Sequence, residues 1–132
     1  CRYPGWQAGG KPLAPGSTGP GSVETPPEVT PQEGDYVVLK PRFSAFFRTE
    51  LDLILRRLGV RTLYLTGTTT PNCIRTTCYD ALSLDYDVVV LSDCTSSVTD
   101  EVQSANLRDM ARIGARICTG AELPTLLGEV RA

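Results

Sequence analysis

Apolar, β-branched runs alternate four times with segments of helical period between Tyr36 and the C-terminus, and this alternation restricts the fold more than any other feature of the chain. The runs "YVVLK" (36–40), "TLYLTG" (62–67), "DVVVLSD" (87–93) and "ARICT" (115–119) read as strands. In "DVVVLSD" the apolar stretch has no polar alternation, so both faces of the sheet need cover. A helix is expected over "TELDLILRRLG", with Phe47, Leu51, Ile54, Leu55 and Leu58 on one face, Thr49 and Asp52 as a capping pair and Gly59 as the stop. A second runs from about Pro71 to Leu84 with an inner stripe of Ile74, Thr77, Cys78 and Ala81. A third spans about Thr99 to Ile113 with Leu107, Met110, Ala111 and Gly114 at helical spacing, and a last one starts near Ala121. Strand and helix in alternation imply crossover connections, a mostly parallel sheet and a three-layer αβα architecture of the α/β class.

Composition narrows the function classes. The 132 residues suffice for one domain with a real core. Thirteen basic and 15 acidic side chains give a net charge of −2, which offers no electrostatic footprint for nucleic acid or an anionic membrane, so a small-molecule partner is expected. No run approaches the roughly 20 apolar residues of a membrane span, and no signal-peptide pattern opens the chain, so a cytoplasmic protein is expected. Five cysteines without CxxC pairs and without any histidine suggest reduced thiols rather than a disulfide framework or a zinc site.

The chain divides at about residue 35. Residues 1–35 hold seven of the twelve glycines and seven of the ten prolines, which neither helix nor central strand tolerates. They are expected to be a loop segment, either an unstructured leader or a functional loop. Residues 36–132 carry the α/β pattern.

In open α/β sheets ligands bind beyond the carboxyl ends of the strands, which here directs attention to Lys40, to "TTTPNC" (68–73) and to Asp93. Pro71 suits the first helical position, which puts Thr70 at the N-cap and Cys73 in the first turn. Backbone amides without intrahelical partners favour a thiolate there and could also receive an oxyanion. Cys78, Cys94 and Cys118, inside apolar stripes or beside a strand, read as small core residues. A redox pair of Cys73 with Cys78 is not expected, since five residues along a helix turn by about 500° and leave the side chains about 140° apart. Lys40 ends an apolar run. It either extends its ammonium into solvent or stabilises the Cys73 thiolate and gives a proton to a leaving group. Asp93, in "SDCTSS", reads as a turn and cap residue.

"KPRFSAF", followed after a helix by "LYLTGTTTPNCIRTTCYDALSLDYDVVVLSD", resembles the isochorismatase-like cysteine hydrolase superfamily over about residues 34–120. The resemblance implies a Rossmann-like sheet and a Cys, Lys and Asp triad that hydrolyses small amides through a thioester, with Cys73 as nucleophile and Lys40 as the triad lysine. It further implies an oxyanion hole of the Thr69 and Cys73 amides and a cis peptide between Thr68 and Thr69. Substrate contacts are expected from Asn72, from Phe46 among the phenylalanines that follow the lysine, and from Trp6 if the proline-rich segment folds over the pocket. No cofactor is expected, and without histidines the metal found in nicotinamidases is disfavoured.

The superfamily's first strand, with its triad aspartate, has no counterpart here. In the superfamily's strand order "YVVLK" would be an edge strand separated from "TLYLTG" by two others. An upstream segment or a companion chain is therefore expected to supply the aspartate and the intervening strands, and assembly into a homo-oligomer is expected as in relatives. The competing expectation is a catalytically inactive domain that keeps the fold for binding or assembly.

Overall fold

The computed structural model describes residues 30–130. Its centre is a parallel three-stranded sheet in the order β1 (Thr62–Thr68), β2 (Asp87–Ser96), β3 (Arg116–Cys118). Both connections between neighbours carry a helix: α2 (Arg75–Ser83) between β1 and β2, and α3 (Asp100–Arg112) between β2 and β3. A short helix α1 (Leu51–Arg57) precedes the sheet, and α4 (Leu123–Val130) follows it after a 3-10 turn at Gly120–Glu122.

The unbroken apolar run of β2 is buried on both sides, as its composition requires. Val88 and Val90 face a cluster formed by Ile74, Cys78 and Ala81 with Met110, Ala115 and Tyr86. Val89 and Leu91 face the other way, against Cys118, Tyr64 and Leu123. All four β2 side chains are at most 6% exposed, and burial of each contributes about 1.5–3 kcal/mol. The expected inner stripe of α2 is the observed one, with Ile74, Thr77, Cys78 and Ala81 all buried.

On α3 the stripe is displaced from expectation. Asn106 and Met110 are its buried residues, whereas Ala111 and Gly114 are exposed. Gly114 instead ends the helix at φ +113°, a conformation that a Cβ would strain. At the other end, the Thr99 hydroxyl accepts the Val102 amide at 3.2 Å as an N-cap.

Two elements depart from the sequence reading. Residues 36–40 form no strand: Tyr36, Val37 and Leu39 are 65%, 63% and 85% exposed, and among the described residues β1 pairs only with β2. A β-branched run has strand propensity, but a strand needs a hydrogen-bonded neighbour. Helix α1 is capped at Glu50 without a side-chain bond. Thr49 donates to the Ala45 carbonyl and accepts from Leu51, while Asp52 turns to Arg56 and Tyr86. Of the expected inner face only Leu55 packs against the described core; Phe47 and Leu58 remain about half exposed.

Candidate active site

The last register pair of β1 and β2 joins Thr68 to Ser96, and beyond it the chain passes through a helical turn, Thr70–Ile74, into α2. Gly67, at φ +107°, makes the approach to this turn possible. The Thr68–Thr69 peptide is cis. Thr69 is the N-cap, one residue earlier than expected, and its carbonyl accepts the amides of both Asn72 and Ile74, at 3.1 and 3.4 Å. The first turn, Thr70–Ile74, is consequently wide, of the π type, with Pro71 near its start where no amide is needed. Thr70, fully buried, donates to the Ser96 carbonyl at 3.0 Å and ties this turn to the end of β2. The wide turn leaves Cys73 half-buried at the carboxyl edge of the sheet, while its neighbour Ile74 is buried.

Lys40 arrives from a part of the chain that is distant in sequence. Its ammonium donates to the Cys73 sulfur at 3.2 Å and to the carbonyls of Arg42 and Phe43 at 3.0 and 3.1 Å. An ammonium has three hydrogens, so these partners use all of them and aim the charge. The segment that follows Lys40 is held on α2 rather than by strand pairing. The Ala45 amide donates to Thr77 Oγ1 at 3.0 Å, and the buried Ser44 hydroxyl accepts the Phe46 amide at 3.1 Å. The contact places a cation within hydrogen-bond distance of the Cys73 sulfur at the carboxyl edge of the sheet.

The other thiols differ. Cys78 is fully buried, and desolvation pushes its pKa up to about 11. Cys118 is also buried. Cys94, expected in the core, is exposed; the register of β2 against β1 slips between Leu65 and Gly67, and residues 91–94 have no partner in β1. Desolvation and then the Asp93 carboxylate hold the Cys94 thiol above its ordinary value.

Asp93 lies in β2 at the expected edge, and its carboxylate accepts the Gly120 amide at 2.8 Å, fixing the entry to the 3-10 turn. Thr119 and Glu122 form a capping box in the same turn, and the Thr119 amide and hydroxyl hold the Glu122 carboxyl below its usual range. Phe46, expected to contact substrate, stacks its ring on Tyr86 at 5.8 Å, just before the amino end of β2. Asn72 is exposed in the wide turn, and its carbonyl accepts the Thr76 hydroxyl at 2.7 Å. Trp6 lies outside the described residues.

Among the described residues no carboxylate pairs with Lys40, and no three His, Cys, Asp or Glu side chains gather in a metal-binding group. No helix among them is long and apolar enough to cross a membrane. The sequence reading missed the carbonyls of Arg42 and Phe43 and the Thr70 anchor. Backbone acceptors leave no residue-type signal, although Thr70 beside Pro71 was visible as a helix-entry residue.

Residues 7–122 match the model of the isochorismatase domain. The chain is 47% identical over 89 residues to a probable inactive nicotinamidase of Arabidopsis thaliana, covering 67% of this chain and 45% of that one. It is 52% identical over 68 residues to the ureidoacrylate amidohydrolase RutB of Klebsiella pneumoniae, covering 52% of this chain and 29% of that one. The chain thus spans less than half the length of either relative. Among solved structures, an isochorismatase family protein from Desulfovibrio vulgaris aligns with a TM-score of 0.73 at 46% identity, over 76% of this chain and 53% of that one. With a parallel sheet, a helix entrance carrying Cys73 and a domain match over most of its length, the chain belongs to the isochorismatase family.

Proposed function

We propose that this chain carries the nucleophile and cationic partner of a cysteine-dependent amidohydrolase acting on a small amide or carbamoyl compound. The observation that carries this reading is the 3.2 Å contact between Lys40 Nζ and Cys73 Sγ at the carboxyl edge of the sheet. Similarity to a ureidoacrylate amidohydrolase supports C–N hydrolysis as the reaction class.

In the proposed reaction a carboxylate outside the described residues takes the thiol proton. The thiolate attacks the substrate carbonyl, forming a C–S bond, and the backbone amides of Thr69 and Cys73 receive the oxyanion. Collapse breaks the C–N bond, and ammonia or an amine leaves with the proton. Water then adds to the thioester, releasing the acid and restoring the thiol. Lys40 balances the sulfur charge throughout. A reducing, cytoplasmic setting suits a mechanism that needs a free thiol. Beyond the small-molecule substrate, the reading asks for a polypeptide segment, in the same chain or a companion chain, that brings the carboxylate and covers the outer edge of β1. A homo-oligomer is part of the same reading.

The test is a screen of small amides and ureido compounds with mass-spectrometric detection of the acyl-enzyme. Wild type should add the acyl mass at Cys73 and release product, and Cys73→Ala should do neither. One observation favours a second reading, a binding module without turnover: a relative at 47% identity is described as a probable inactive nicotinamidase. Tight ligand binding without acylation or product would support that reading over the first.

A further inference from the structure

Away from Cys73 and Lys40, the groove between α2 and α3 holds a cleft of about 370 Å³ lined by Arg75, Ala105, Asn106, Arg108, Asp109 and Arg112. The volume lies at the lower end of the roughly 300–1,000 Å³ usual for ligand clefts. Three arginines against one carboxylate leave an excess of positive charge, on a chain whose net charge is −2.

The two sides of the cleft are prepared differently. Arg75 is locked: one guanidinium nitrogen pairs with Asp109 at 2.7 Å, another donates to Asn106 Oδ1 at 3.5 Å, and the group lies 5.3 Å over the Tyr79 ring. Tyr79 also donates to Asp109 at 3.0 Å, on the same carboxylate oxygen that Arg75 holds, so this wall ties the carboxylate down through Oδ2. Arg108 and Arg112 form no ion pair among the described residues. They stand one helical turn apart on the same face, where like charges repel by about 0.2–0.5 kcal/mol. Arg112 has a compensating place in the last turn of α3, where the helix dipole favours a cation. Arg108, mid-helix, has none. An anion between them would remove the repulsion and accept forked, charge-assisted hydrogen bonds.

We propose that this cleft binds a small metabolite bearing a phosphate monoester, held by Arg108 and Arg112 against a wall made rigid by Arg75. The site is independent of the hydrolytic reading, since neither Lys40 nor Cys73 lines it.

Calorimetric titration at constant ionic strength tests it with glycerol 3-phosphate, inorganic phosphate and glycerol as probes. The expected result is saturable one-to-one binding of glycerol 3-phosphate, weaker binding of inorganic phosphate and none of glycerol. Replacing both arginines, Arg108→Gln with Arg112→Gln, should weaken the ester about tenfold or more. Ala105→Glu, which brings a carboxylate to the exposed wall, should abolish binding while thermal unfolding stays as in wild type. Undiminished binding in either variant, or no saturable heat with wild type, would overturn the proposal. Inorganic phosphate binding as tightly as the ester would overturn the monoester assignment.

Discussion

Lys40 Nζ donates to Cys73 Sγ across 3.2 Å although 33 positions separate the two residues in sequence, and the ammonium reaches the sulfur from a segment that is not a strand. Alkylation reports the thiolate population at each cysteine. With iodoacetamide at neutral pH, Cys73 should label first, the exposed Cys94 more slowly because desolvation and then Asp93 oppose its ionisation, and the buried Cys78 and Cys118 slowest. Lys40→Met should slow Cys73 labelling by about tenfold, the worth of one charge-assisted hydrogen bond, without changing Cys94. Peptide mapping by mass spectrometry reads all four, and an unchanged Cys73 rate in the variant would remove Lys40 from the site.

The identity of this pair was legible in the sequence because both members stand out from their surroundings: a lysine closing an apolar run, and a cysteine off the inner stripe at a helix entrance. How they meet was not legible. The "YVVLK" run has strand propensity, yet strand formation depends on a neighbour that no local pattern encodes, and among the described residues none is present. Cys94 was misread for a related reason. Its neighbours in "LSDCTSS" look regular, whereas the slip in the β1–β2 register at this point is a property of two strands together. Phe46 was one of three candidates near Lys40, and the stacking partner that claims it, Tyr86, lies 40 residues away. The core of α2 and β2 was read well because periodicity and burial there point to the same residues.

Gly67 tests the turn that presents Cys73. At φ +107° any side chain is strained, while a Cβ would meet only Ile74 Cδ1 at 4.0 Å, so the cost of Gly67→Ala is conformational rather than steric. Urea unfolding should show a loss of about 1–3 kcal/mol. A stability equal to wild type would mean that the backbone at 67 can relax without disturbing the turn.

Met110 and Ala111 discriminate the observed stripe of α3 from the expected one. Met110 is fully buried against the sheet, so Met110→Ala should cost about 2–5 kcal/mol. Ala111 is exposed, and Ala111→Ser should lie within about 0.5 kcal/mol of wild type by the same denaturation measurement.

Asp52 links acid stability to the amino end of the domain. The Tyr86 hydroxyl, at 2.8 Å, and then Arg56 hold its carboxyl below the usual range. A lowered folded pKa contributes stability that is present above the unfolded value, about 3.9, and is lost as pH falls through the folded value. Melting temperatures of wild type should therefore drop more steeply below pH 4 than those of Asp52→Asn. Tyr86→Phe should flatten the slope in part, because the hydroxyl is the larger of the two causes and Arg56 remains. Parallel slopes in wild type and Asp52→Asn would show that this cluster does not contribute.

Cys78 governs the alkaline side. Burial between α2 and the sheet raises its pKa to about 11, against an ordinary thiol value of about 8.5. With the folded value raised, the contribution is complete below the unfolded pKa and disappears as pH climbs from about 8.5 through 11, amounting to on the order of 3 kcal/mol. Tyr86, also raised by desolvation and by its bond to Asp52, ionises in the alkaline range too, so wild type alone does not isolate the thiol. Cys78→Ala does. It lacks the ionisable group but keeps Tyr86, and its stability should fall less between pH 8.5 and 11 than that of wild type. Equal alkaline slopes in the two proteins would mean that the sulfur meets water in the native state, contrary to its full burial.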